Sequence, residues 1–279
     1  MTKLLNFHSL TISIVTYYPD INEFIQSLTS LKAAIDYLHQ QLSIVTRVTV
    51  VDNSVNSRIA SKISQLLQSE LKGISQLLTP SLNLGYGLGH NLAAENGTGY
   101  WHLVMNADVE LDEDALSAGL KFLKQPENQQ IGLISPHCLN GDGQRAYLCK
   151  RYPSVFDLAL RGFAPAALRE LFQARLADYE CRDHSEQQTV QPIVIVSGCF
   201  MLFRGQAWQA TDGFASQYFL YFEDFDLSIR LNQAWRIAYV PSVRIVHHGG
   251  HAARKGLKHV ALFMRSAWCF FSTHGWRII

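Results

Sequence analysis

The residue types best suited to chemistry fall in a few short polar clusters. After the apolar run Leu103-Val104-Met105 comes a turn, Asn106-Ala107-Asp108, with one carboxylate at its tip. A carboxylate at the carboxyl end of a buried strand can hold a hard cation, and the cation can hold a diphosphate. The same residues also suit a solvated turn that caps the next helix. Glu223-Asp224-Phe225-Asp226 sets carboxylates among Phe219, Tyr221 and Phe222. An acid against aromatic rings has the surroundings of a general base, and acids at a helix start also answer the helix dipole. His247-His248 before Gly249-Gly250 fits a metal or phosphate contact, or strand packing. Asp52 can accept hydrogen bonds from a base or ribose, or form an Asp-Asn-Ser turn. Gly85, Gly87 and Gly89 let backbone approach a nucleotide closely. Their spacing is not the dinucleotide fingerprint, and there is no phosphate loop ending in Gly-Lys-Ser/Thr.

Positioning these groups needs strands that end together. Short runs rich in β-branched residues predict strands at Leu10 to Thr16 and Arg47 to Val51, with a third at Leu77-Leu78 and a fourth ending at Met105. Phe24, Leu28, Leu31, Ile35, Leu38 and Leu42 recur at helical spacing, so Asn22 to Leu42 is predicted helical, with Asp20 or Asn22 as cap. Ile59 to Leu71 and Leu111 to Leu120 are predicted helices as well. Strand and helix alternate, which indicates an α/β fold with a mainly parallel sheet and ligands outside the carboxyl ends of its strands. Beyond it, strands are predicted at Ile131 to Ser135, Val190 to Val196, Arg236 to Val240 and Val243 to His247, with a further apolar run at Phe200 to Phe203 and a turn at Asn140-Gly141-Asp142-Gly143. Val155 to Asp178 reads as helix or loop, Tyr218 to Leu231 runs into a helix, and His259 to Phe271 reads as a helix. No break argues for two domains, so residues 1–279 are expected to form one unit.

Composition narrows the functional classes. A net charge of +1 on 279 residues gives no basic field for nucleic acid and no acidic tail. The five cysteines are scattered without zinc spacing and read as reduced thiols of a cytosolic protein. No secretory signal or bilayer-spanning apolar run is expected.

Taken in order, these pieces resemble the family-2 glycosyltransferases of the GT-A fold. They are Thr16-Tyr17-Tyr18-Pro19, Val51-Asp52-Asn53-Ser54, Asn83-Leu84-Gly85-Tyr86-Gly87 with Asn91, Asn106-Ala107-Asp108, Ser197-Gly198-Cys199-Phe200, Gly213-Phe214, the run from Tyr221 to Leu227, and His247-His248-Gly249-Gly250. The resemblance runs over about residues 10–275, and within the family it is greatest to bacterial rhamnosyltransferases that build O-antigen and related surface polysaccharides. It implies a nucleotide-sugar-binding half over about residues 8–130, an acceptor half over about 131–258, and a C-terminal helix over about 259–279. It implies that Asp52 reads the base and that Thr16, Tyr18, Asn83, Gly85, Asn91 and Asn106 lie at the donor. Asp108, with His247, would hold Mg²⁺ or Mn²⁺. Asp224 would be the catalytic base and Glu223 would orient the acceptor, with Gly198 and Asp226 at the acceptor side. The family often carries Asn-Pro-Asp or two carboxylates where this chain has Asn106-Ala107-Asp108, and a small residue and Ser where it has His251 and Ala252.

The implied reaction is inverting transfer of a sugar from a nucleotide diphosphate to a hydroxyl of a lipid-linked saccharide. L-rhamnose from dTDP-rhamnose is the first expectation; UDP-sugars such as galactose, galactofuranose or N-acetylglucosamine are the alternative. The chain would work in the cytoplasm, at the inner face of the cytoplasmic membrane. Val155 to Asp178 and Val260 to Ile279, basic and aromatic, would either touch that membrane or pack on the catalytic unit. A nucleotidyltransferase would need a Gly-rich basic loop after the first strand, where this chain has Tyr17-Tyr18-Pro19-Asp20. A degenerate, non-catalytic assembly partner would have no need to keep Asp108, Asp224 and His247.

Overall fold

The computed structural model describes residues 8–249 and 256–279; Gly250, His251 and Ala252, singled out above, lie outside the described residues. The amino-terminal half alternates strand and helix: β1 (Ser9–Thr16), α1 (Ile21–Leu42), β2 (Val45–Asp52), α2 (Ser57–Glu70), β3 (Ser75–Leu78), α3 (Tyr86–Ala94), β4 (Trp101–Asn106), β5 (Val109–Leu111) and α4 (Ala115–Lys124). Asp20 is the cap of α1: its carboxylate accepts from the backbone N–H groups of Asn22 and Glu23 at 2.8 and 3.2 Å. Phe24, Leu28, Leu31, Ile35 and Leu38 of α1 are buried, as their spacing requires.

There follow β6 (Ile131–Asn140), β7 (Arg145–Ala146), β8 (Cys149–Lys150), α5 (Val155–Phe163), α6 (Ala166–Leu171), α7 (Gln173–Tyr179), β9 (Ile195–Val196), β10 (Phe200–Arg204), α8 (Gly205–Ala210), α9 (Glu223–Leu231), β11 (Arg236–His247) and α10 (Leu257–His274). A nine-stranded sheet runs β3-β2-β1-β4-β10-β6-β11-β5, with β7 on β6, while β8 and β9 form a separate ribbon. β3, β2, β1 and β4 are mutually parallel, β11 is parallel to β6, and β10 runs antiparallel between β4 and β6.

This topology gathers the polar clusters at one edge. Thr16 pairs with Asp52 and Val15 with Asn106, so three strands end together. Because β10 is reversed, its first residue, Phe200, sits beside Met105, and Ser197-Gly198-Cys199 therefore enters at the same edge. β11 ends there too, with His247 opposite Val109.

The structure corrects several sequence boundaries. Val109–Leu111 is a strand rather than the start of a helix, because it pairs with Ile245–His247; the helix begins at Ala115. The two short strands expected between 236 and 247 are one, with register shifts, one of them between Val240 and Arg244. Of Val190 to Val196 only Ile195–Val196 forms a strand, with Val190 making an isolated bridge to Tyr239. Pro192 between them has no N–H for a ladder.

Candidate active site

On the donor side, Asp52 is buried at the end of β2. Its Oδ1 accepts from Thr16 Oγ1 (3.2 Å) and from the Ser54 N–H (3.0 Å). Its Oδ2 is buried and has no hydrogen-bond partner among the described residues. A buried acceptor left open costs about 1–3 kcal/mol unless a ligand supplies a donor. Asp52 lines a cavity of about 490 Å³ with Val55, Ser57, Ala60, Thr79 and Pro80. Tyr18 holds its backbone N–H on Ser54 Oγ at 2.8 Å and leaves its ring exposed. Asn83 Oδ1 accepts from the Gly85 N–H at 2.8 Å and shapes the loop into α3. Gly85 has φ +82°, and a Cβ there would collide with the Phe219 carbonyl, so the glycine serves this close approach. Asn91, expected at the donor, is elsewhere. Its amide donates to the Phe214 carbonyl (2.7 Å) and accepts from the Phe214 N–H (2.9 Å), so both ends are spent clamping that loop.

The metal-side groups meet at the junction of β4, β5 and β11. His247 Nε2 lies 3.3 Å from Asp108 Oδ1. Two donors about 2.1 Å from a common octahedral ion, at right angles, stand about 3.0 Å apart, so the pair fits neighbouring positions on one Mg²⁺ or Mn²⁺. Gly249 keeps the space between them open: a Cβ there would press into Asp108 Oδ2 and lie 2.9 Å from His247 Nε2. Among the described residues no group of three or more His, Cys, Asp and Glu side chains is placed to hold an ion. These ions readily take waters and phosphate oxygens as their other ligands. The neighbouring His248 is turned away, its Nε2 2.5 Å from Glu110 Oε1.

α9 begins after Tyr221 and Phe222, both at positive φ. Asp224 Oδ2 accepts from the Gly198 N–H at 2.8 Å, and Oδ1 accepts from the Phe225 N–H at 2.9 Å. Burial pushes the Asp224 carboxyl up to about 6, partly offset by these N–H groups. Glu223 is pushed well above the usual carboxyl range, chiefly by burial and then by the Asp224 charge. Its Oε2 is buried and has no hydrogen-bond partner among the described residues. Burial thus raises both carboxyls, and the two titrate as a pair. Asp226 does not face the acceptor side. Two residues along a helix turn a side chain by about 200°, and Asp226 instead meets His274 Nε2 (2.8 Å) and Arg230 Nε (2.7 Å), buried between α9 and α10.

Sequence alone gives Tyr86 no role beyond its place in the Gly85-Tyr86-Gly87 stretch. Its hydroxyl is 2.9 Å from Asn106 Oδ1 and 2.6 Å from the Gly198 carbonyl. Burial raises its pKa well above the phenol range, and Cys199, Glu223, Asp224 and Asp108 add to the effect, so one phenol feels both groups of carboxylates. An aromatic inside a Gly-rich stretch reads as packing; its partners are 20 and 112 residues away and leave no local signal.

The model of the family described as "Glycosyltransferase like family 2" matches residues 22–262. The chain is 28% identical over 216 residues, 72% of its length and 68% of the other's, to the N-acetylglucosaminyl-diphospho-decaprenol L-rhamnosyltransferase of Mycobacterium tuberculosis. It is 26% identical over 159 residues, 54% of its length and 53% of the other's, to rhamnosyltransferase WbbL of Escherichia coli K12. Among solved structures, GalNAc-T7 with UDP, GalNAc and Mn²⁺ superposes with a TM-score of 0.62 at 12% identity, over 88% of this chain and 44% of that one. S. aureus TarS 1-349 in complex with UDP gives 0.54 at 15% identity, over 94% and 65%. The fold is therefore GT-A.

Proposed function

The chain belongs to glycosyltransferase-like family 2, and from that premise we propose that it is a metal-dependent inverting transferase. It moves a sugar from a nucleotide diphosphate to a hydroxyl of a lipid-linked saccharide in bacterial surface polysaccharide synthesis. The observation that carries this reading is the arrangement of Asp108–His247 and Asp224, linked through Tyr86, Asn106 and Gly198. Asp52, with its open Oδ2, takes a donor N–H from the base. Asp108 and His247 hold the divalent cation, which supplies charge to offset the departing diphosphate. Asp224 accepts the proton of the acceptor hydroxyl as that oxygen bonds the anomeric carbon and the bond to the diphosphate oxygen breaks. Attack opposite the leaving group inverts the anomeric centre in one step. Glu223, its carboxyl raised by burial and by the Asp224 charge, orients the acceptor.

Both curated relatives are rhamnosyltransferases by name, which favours dTDP-L-rhamnose as donor and a lipid-diphosphate-linked N-acetylglucosamine as acceptor. Incubating the chain with Mn²⁺, that acceptor and radiolabelled dTDP-rhamnose, UDP-galactose or UDP-N-acetylglucosamine tests both levels. Label is expected in the lipid fraction with dTDP-rhamnose at least about tenfold faster than with either UDP-sugar. Transfer from a UDP-sugar alone would replace the donor, and transfer from none would end the reading.

The acceptor's lipid makes a membrane surface the expected partner. No helix of the described residues is long and apolar enough to cross a membrane. On α10, Met264 and Trp268 are exposed while Phe270 and Phe271 are buried, and Trp276 packs on both Trp268 and Phe271. Phe163 at the end of α5 meets Phe263, and Leu171 of α6 is 75% exposed. Arg161, Arg169, Arg265 and Arg277 lie in the same elements and the following tail, a composition suited to an anionic headgroup layer. Sedimentation with phosphatidylglycerol vesicles is expected for the native chain and reduced about fivefold or more by Met264→Ser with Trp268→Ser. Equal sedimentation of the double variant would remove this surface from the proposal.

A further inference from the structure

The ring of Tyr86 packs edge-on against His90 and Phe214, with centroids 4.5 and 6.0 Å apart. Phenylalanine would serve that packing equally, so the hydroxyl is what needs a reason. It lies between two groups drawn as acceptors, the Gly198 carbonyl at 2.6 Å and Asn106 Oδ1 at 2.9 Å. A phenol has one proton to give. The Gly198 carbonyl can only accept and is the closer, so it takes that proton. The phenol oxygen is then an acceptor toward Asn106. Amide oxygen and nitrogen are told apart by their hydrogen bonds, and the orientation that answers an acceptor turns Nδ2–H toward Tyr86. The amide carbonyl then occupies the opposite position, 3.2 Å from His247 Nε2. That places an oxygen beside the Asp108–His247 pair, and oxygen is what a hard cation favours.

Gly198 is the other end of the connection. Its N–H holds Asp224 Oδ2 at 2.8 Å, and a Cβ at 198 would lie 3.3 Å from both Asp224 Cβ and Tyr86 Cε1. The carbonyl that Tyr86 holds and the N–H that holds the carboxylate thus belong to one residue.

We propose that Tyr86 is a positioning residue that fixes both parts of the site at once. Its O–H holds the Gly198 segment that carries Asp224, and its oxygen holds the Asn106 amide with the carbonyl turned toward the cation. The proposal rests on the transferase reading above, but its first measurement needs no sugar transfer.

Mn²⁺ binding to the full chain with dTDP present, followed by electron paramagnetic resonance of free Mn²⁺, compares the native chain, Tyr86→Phe, Asn106→Ala and the double variant. Tyr86→Phe is expected to weaken Mn²⁺ binding about three- to tenfold. The double variant should be no weaker than Asn106→Ala, since both act through one amide. In transfer assays Tyr86→Phe should lower kcat about tenfold or more with the acceptor KM within about twofold, because the base shifts while no substrate contact is lost. Phe214→Leu disturbs the same ring packing without touching the hydroxyl. It should lower Tm and leave Mn²⁺ affinity and kcat near native. The proposal is overturned if the native chain with dTDP binds no Mn²⁺, if Tyr86→Phe keeps native Mn²⁺ affinity and kcat, if the two single effects add independently, or if Phe214→Leu reproduces the Tyr86→Phe profile. A native chain that binds Mn²⁺ but moves no sugar ends the transferase reading, and the Mn²⁺ measurements still decide the role of Tyr86.

Discussion

Asp224→Asn is expected to lower sugar transfer about 10²- to 10⁴-fold, the range a positioned general base supplies, while nucleotide binding and folding persist. The amide keeps an oxygen for the Gly198 N–H, which now holds Asp224 Oδ2, but sets its Nδ2 against the Phe225 N–H that Oδ1 now accepts. Persistence of nucleotide binding and folding is therefore what separates lost proton acceptance from a displaced loop. The pH dependence gives a second reading. Burial lifts the Asp224 carboxyl to about 6, and the base works only when ionised. Transfer by the native chain should therefore fall as pH drops through about 6, and the small residual activity of Asp224→Asn should lack that limb. Stability moves the other way. Between the ordinary carboxyl range and about 6 the native state binds more protons than the unfolded chain, so stability falls as pH rises through that window. Asn removes this loss and should raise Tm at pH 8, by about 2–4 °C for each kcal/mol regained. A variant that is less active, more stable and free of the acidic limb is the signature of a base held in strained electrostatics. Retention of more than about a tenth of native transfer would place the base elsewhere.

The positions of several candidate residues were legible in the sequence. Asp108, Asp224, His247 and Asp52 stand beside strand ends or a helix start, and parallel α/β order brings strand ends together. The reversed β10 could not be read from sequence, because a short apolar run carries no direction; yet it is this reversal that delivers Gly198 to the site. Asn91 and Asp226 show the opposite error. Each lies in a motif whose neighbours face the site, but helical rotation and a partner more than forty residues away turn each inward, Asn91 onto Phe214 and Asp226 onto His274. Motif membership says which residues travel together, and only tertiary contacts decide which of them face a ligand.

Gly249→Ala offers the sharpest test of the cation site because it deletes no ligand. In the native chain, dTDP should stabilise modestly alone and clearly more with Mn²⁺. A ligand at a hundred times its Kd adds about 2.7 kcal/mol, or about 5–10 °C here. Asp108→Ala is expected to abolish the Mn²⁺ increment and leave the dTDP effect, since Asp52 lies on another strand. Gly249→Ala should do the same, because its methyl would intrude on Asp108 Oδ2 and His247 Nε2. The alternative is that Asp108 and His247 form a structural ion pair. In that case Asp108→Ala would lower Tm without any ligand, and the increment from Mn²⁺ would survive in both variants. The two accounts therefore differ in sign at each measurement: an ion site predicts unliganded Tm near native with no response to Mn²⁺, and a structural pair predicts a lower unliganded Tm with the response intact. Persistence of the full Mn²⁺ increment in Asp108→Ala would remove the cation from this position.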